Sequence, residues 1–184
     1  MGIFSISLFV LMAAGGPVQA QNRTAKADAS PAARAPLALG SAAPNVSLLI
    51  NGKKTPLKIL LAGNRNLVLF YPRECTSCDT ELQAVDKGVI KELDRMGVAV
   101  FAVSPDAAAD QAATAKRLSL PYVLVSDPDG KAARAFHAAG SAAFMIDTDG
   151  TVSYVSNLDQ TPLRGSDLIA AAKKFKQLPS SAKR

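Results

Sequence analysis

A chain of 184 residues has room for one domain with tails, and a hydrophobic content of 48% is enough for a core. Its formal charge of +6 lies at the ends: residues 37–170 hold 13 basic and 14 acidic side chains, whereas residues 171–184 hold five basic and none acidic. A basic excess confined to tails, with no aromatic–basic interleaving, argues against a nucleic-acid partner for the domain.

Residues 1–20 read as an export signal. An apolar run over residues 3–14 is broken by Gly15, Gly16 and Pro17, and Val18-Gln19-Ala20 fits a small-x-small cleavage site, so the mature chain would begin near Gln21. No Lys or Arg precedes the run, and an uncleaved N-terminal membrane tether is therefore the alternative. Either reading places the domain in the periplasm or another extracytoplasmic space, where disulfides persist. Residues 21–42, rich in Ala, Pro, Ser and Arg without hydrophobic period, read as a flexible linker. The domain is expected over residues 43–178, followed by a basic tail over 179–184.

Within the domain, residues 46–50 are strand-like, Asn51-Gly52 is a hairpin signal, and residues 54–57 form the return strand. A helical turn then ends at Gly63. Residues 67–71 are an apolar run typical of a central strand buried on both faces. Leu82, Val85, Val89, Leu93 and Met96 mark one face of a single helix from Cys78 to a stop at Gly97. A buried strand over residues 98–103 leads to Ser104-Pro105-Asp106, which opens a helix through about Arg117 with Ser104 as cap. Strands over residues 122–125 and 142–146 follow, with a helix over 131–137 between them. Asp147-Thr148-Asp149-Gly150 turns the chain into a last strand over 151–155, and a final helix starts near Ser166. The alternation predicts an α/β fold, a mixed sheet with helices on both faces. The two Asp-x-Asp-Gly turns lack the remaining ligands of a calcium loop.

Cys75 and Cys78 are the two cysteines of the chain. Their C-x-x-C spacing, between a buried strand and a helical pattern, points to a redox pair at a helix N-terminus. A thiolate there attacks a substrate disulfide, and the second thiol resolves the mixed disulfide. Cys75, nearer solvent, is the nucleophile in that scheme. A structural disulfide closing so short a loop would remove little unfolded-state entropy. A zinc site would need two further ligands, with His137 alone on offer; no metal or cofactor is expected.

Leu69-Phe70-Tyr71-Pro72, Cys75-x-x-Cys78, Glu81-Leu82, Ala102-Val103-Ser104-Pro105-Asp106, Ser126-Asp127-Pro128-Asp129-Gly130 and Phe144-Met145-Ile146-Asp147 together resemble a thioredoxin-like fold. More narrowly, they resemble the alkyl hydroperoxide reductase / thiol-specific antioxidant (redoxin) superfamily. The resemblance implies an oxidoreductase and leaves two branches. The preferred one is an exported thiol–disulfide oxidoreductase acting on a protein or small-molecule disulfide through catalytic Cys75 and Cys78, with a thiol electron donor. The alternative is a peroxiredoxin-type peroxidase in which Cys78 attacks peroxide, Glu81 matches a downstream acid, and Cys75 stands where the family has threonine. Here the interval from Pro72 is one residue short. Gly140-Ser141-Ala142-Ala143-Phe144 carries neither the arginine of the peroxidases nor the cis-proline of the reductases. A minor alternative is a copper-handling relative using the two cysteines and His137, whose usual cysteine spacing is longer by one.

Overall fold

The computed structural model describes residues 37–50, 52–73, 75, 77–138 and 140–175. The expected export signal, residues 21–36 of the expected linker, and the basic tail lie outside the described residues. Strand β1 (Ser47–Ile50) and β2 (Lys53–Pro56) form a hairpin, followed by helix α1 (Leu57–Leu60) and β3 (Arg65–Phe70). Then come α2 (Cys78–Gln83), α3 (Lys87–Arg95), β4 (Val98–Ser104), α4 (Ala108–Leu118), β5 (Val123–Ser126) and α5 (Lys131–Ala135). The chain closes with β6 (Ala142–Ile146), β7 (Val152–Asn157) and α6 (Gly165–Phe175).

One sheet runs in the order β2-β1-β5-β4-β3-β6-β7. Strands β3, β4 and β5 are mutually parallel, while β6 lies antiparallel against β3 and β7 against β6. The expected mixed sheet with helices on both faces is therefore present. The period of two in β3 divides the core: Leu67 and Leu69 face a layer that includes Leu82, Leu93, Leu168 and Ala172 from α2, α3 and α6. Val68 and Phe70 face the opposite layer, with Leu57, Ala132 and Phe136. There Phe136 stands 5.0 Å from Phe70 and 5.1 Å from Phe144 by ring centroids. Such a near-continuous apolar strand is what a position between two covering layers requires.

Three local expectations need correction. The single helix from Cys78 is two helices, because Asp86 caps a new one: its Oδ1 accepts the Val89 N–H at 2.9 Å. The apolar period continued across the break and concealed that cap. Asp86→Ala is expected to cost about 1 kcal/mol of stability, read as a lower denaturant midpoint at unchanged slope. The helix expected from Ser104 begins instead at Ala108. Ser104 ends β4, and its hydroxyl donates to Asp106 Oδ2 at 3.0 Å and accepts the Asp106 N–H at 3.2 Å, making a turn rather than a cap. Finally, residues at the end of the expected linker belong to the sheet edge. Gly40 N–H donates to the Val152 carbonyl, Val152 N–H to Ser41, and Ala43 N–H to Gly150, each at 2.8 Å.

Two polar anchors tie the layers to the sheet. Arg65, at the start of β3, pairs with Asp147 at 2.9 Å and donates to the Ala172 carbonyl at 2.9 Å, fixing α6. Buried Gln111 on α4 donates to Ser104 Oγ at 3.0 Å and to the Val125 carbonyl at 2.8 Å. Among the described residues, no helix is long and apolar enough to cross a membrane.

Candidate active site

The cysteines stand on the loop that leaves β3. Tyr71 still donates its N–H to the Val103 carbonyl at 3.1 Å, and Pro72, which has no N–H, ends the ladder. Arg73 holds the loop down, with Nε 3.3 Å from Asp106 Oδ1 and Nη2 2.9 Å from the Pro105 carbonyl. Cys75 is half-buried; Cys78, 6% exposed, is the first residue of α2. A disulfide joins them with their Cα atoms 5.4 Å apart. The relative exposure agrees with the reading that Cys75 is the sulfur nearer solvent.

Helix α2 is held at both ends. Asp79 forms a two-point ion pair with Arg117 of α4, which lowers the Asp79 carboxyl below its ordinary pKa. Tyr122 O–H donates to the Leu82 carbonyl at 2.7 Å, and burial raises that phenol's pKa, so it remains a donor. One turn into α2, Glu81 is 9% exposed. Its Oε1 accepts the Ser77 hydroxyl at 2.8 Å, while Oε2 is buried with no hydrogen-bond partner among the described residues. A carboxylate oxygen of Glu81 and both sulfurs lie within 4.8 Å of one another. With the two sulfurs bonded to each other, this set is a disulfide over a buried acid and, among the described residues, falls short of the four ligands of a structural metal site. His137 is not in this cluster; it lies half-buried just past α5 with φ 55°.

The segment opposite the cysteines is set by strand register. Antiparallel β6 pairs Ala142 with Phe70, so the residue before β6 must face the loop after β3. That residue is Ser141, 2% exposed, with Oγ 3.7 Å from Cys78 Sγ and 3.8 Å from Cys75 Sγ. Its backbone is fully used: Ser141 N–H donates to Asp159 Oδ1 at 3.1 Å, and its carbonyl accepts the Leu158 N–H at 2.9 Å. The Asp159 carboxylate lies so close over Gly140 that any Cβ there would overlap it. Beside the site an apolar groove of about 180 Å³ runs between Tyr71, Pro72, Pro105, Ala133, Ala138 and Gly140.

The structure brings Cys75, Cys78 and Glu81 together at the start of α2, and Glu81 is the downstream acid that the peroxiredoxin resemblance implies. The resemblance implies that the Gly140–Ala143 segment faces the cysteines, with Ser141 or Ala142 at the proline position; that Ser141 is the one whose hydroxyl reaches both sulfurs, and the part of Asp159, left no local signal. They depend on a strand pairing 72 residues distant and on a loop 18 residues further on.

A sheet of this topology that presents a cysteine pair after its central parallel strand defines a thioredoxin-like thiol oxidoreductase. The AhpC/TSA family pattern matches residues 39–155, and the chain belongs to that family. A Haemophilus influenzae protein assigned as a Bcp peroxiredoxin is 32% identical over 124 residues, 67% of this chain and 79% of that one. The chloroplastic peroxiredoxin Q of Triticum aestivum is 27% identical over 126 residues; the match covers 64% of this chain and 58% of the relative. Among solved structures, the peroxidoxin BcpB of Mycobacterium tuberculosis shares the fold at a TM-score of 0.62 and 22% identity, covering 74% of this chain and 97% of its own.

Proposed function

We propose that the chain is an exported thiol-dependent peroxidase of the two-cysteine kind, with Cys78 as the peroxide-attacking sulfur and Cys75 as the resolving one. The observation that carries this reading is the similarity to Bcp and Q-type peroxiredoxins through the segment holding both cysteines. It replaces disulfide reduction, the reading preferred from C-x-x-C spacing alone, as the main function.

The residues support a balanced cycle. The Cys78 thiolate attacks one peroxide oxygen; the O–O bond breaks, Cys78 becomes a sulfenic acid, and the leaving oxygen takes a proton to become an alcohol or water. The Cys75 thiolate attacks the sulfenic sulfur, water leaves, and the Cys75–Cys78 disulfide forms. Two equivalents of a thiol donor restore the dithiol, the first attacking the more exposed Cys75 sulfur. The peroxide loses its O–O bond to reduction while the donor thiols are oxidised to a disulfide. Export rests on the apolar N-terminal run; fractionation of expressing cells checks it, and recovery of the full-length chain in the cytoplasm would remove that part.

Mass spectrometry of the reduced protein tests the assignment. One equivalent of peroxide is expected to produce the Cys75–Cys78 disulfide in the native chain and a Cys78 sulfenate in Cys75→Ser. An unoxidised Cys78 after stoichiometric peroxide, with rapid oxidation by a model disulfide, would restore the disulfide-reductase reading.

A further inference from the structure

The site has acids where a thiolate must form. Glu81 from α2 approaches the sulfurs, and its Oε2 has no hydrogen-bond partner among the described residues. Asp159, from the loop after β7, lies against the Ser141 backbone. A carboxylate beside a sulfur disfavours a second negative charge. The cation of the cysteine loop is turned away, since Arg73 pairs with Asp106 and the Pro105 carbonyl.

Among the described residues, two side-chain hydroxyls reach the sulfurs. Ser77 Oγ is 3.6 Å from Cys75 Sγ, but its single hydrogen goes to Glu81 Oε1 at 2.8 Å. Ser141 Oγ is 3.8 Å from Cys75 Sγ and 3.7 Å from Cys78 Sγ. Disulfide sulfurs carry no proton, so in this contact the Ser141 O–H is the donor. Its backbone N–H and carbonyl are held by Asp159 and Leu158, and a hydroxyl hydrogen can rotate about its own C–O bond to suit its acceptor.

Resting on the peroxidase reading, we infer that Ser141 is a catalytic residue: its hydroxyl hydrogen-bonds to whichever cysteine sulfur carries the negative charge. It donates to Cys78 during attack on peroxide, to Cys75 during attack on the sulfenic acid, and to the Cys78 thiolate released when the donor thiol opens the disulfide. One rotating donor, nearly equidistant from two sulfurs, serves both. It stands in the segment where an arginine was expected and is absent. Asp159 is a positioning residue, acting through the Ser141 N–H.

The test follows alkylation of the fully reduced protein by iodoacetamide against pH, beside peroxide consumption. Ser141→Ala is expected to slow alkylation at pH 7 roughly tenfold, the value of one hydrogen bond to a charged group. Its rate should rejoin the native one at high pH, where both thiols ionise unaided, and Ser141→Thr should restore much of the loss. A structural defect would depress the rate at every pH. Superimposable pH profiles for the native and Ser141→Ala proteins would overturn the inference. A displaced profile in a protein that consumes no peroxide would uphold the role of Ser141 and overturn the peroxidase reading.

Discussion

Cys78→Ser is expected to abolish peroxide turnover, while Cys75→Ser leaves the first reaction intact and stops the cycle after it. The asymmetry follows from the assigned chemistry. A serine hydroxyl is not ionised near neutrality and is a poor nucleophile, so removing the attacking sulfur costs several orders of magnitude. Without Cys75, the Cys78 sulfenic acid forms but has no partner to expel its oxygen. It then accumulates and, in excess peroxide, advances to the irreversible sulfinic state. Peroxide consumption with a dithiol donor, combined with stopped single-turnover measurements, separates the two variants. Equal single-turnover rates in Cys78→Ser and the native chain would transfer the attacking role to Cys75.

Phe136→Ala is expected to cost about 3–5 kcal/mol, a large share of the roughly 5–15 kcal/mol that holds a domain folded. Phe136 is fully buried, and its ring meets Phe70 of β3 and Phe144 of β6. Truncation leaves a cavity between two elements that cannot close it without shifting the central strands. The same strands carry the site: Phe70 leads to the cysteine loop, and β6 begins one residue after Ser141. A melting temperature lowered by about 10 °C is expected, together with slower peroxide reduction at temperatures where the variant is still folded. A loss below about 1 kcal/mol would show that the layer repacks around the gap.

Much of the architecture was legible from local signals. The apolar run ending at Pro72 marked β3, the Asn51-Gly52 and Asp147–Gly150 turns marked the two hairpins, and the cysteine spacing marked the redox pair. The errors arose where one signal concealed another. A continuing apolar period hid the Asp86 cap between α2 and α3. At Ser104, a residue suited to capping a helix was used in a turn, because its hydroxyl found Asp106 two residues on. Gly40 and Ser41 lack any hydrophobic pattern, yet they belong to the fold by backbone hydrogen bonds to Val152, which no side-chain pattern records.

For function, the amino-acid sequence by itself determined that two thiols would meet at a helix start in a thioredoxin-like domain, since that needs local spacing and one buried strand. The resemblance implies which segment faces those thiols; which of its side chains reaches them was decided by tertiary structure. Antiparallel pairing of β6 with β3 brings Ser141 to within 3.8 Å of both sulfurs, and the loop after β7 fixes it there through Asp159. Strand register is a property of the whole packed sheet, and a shift of one residue would turn Ser141 to the opposite face.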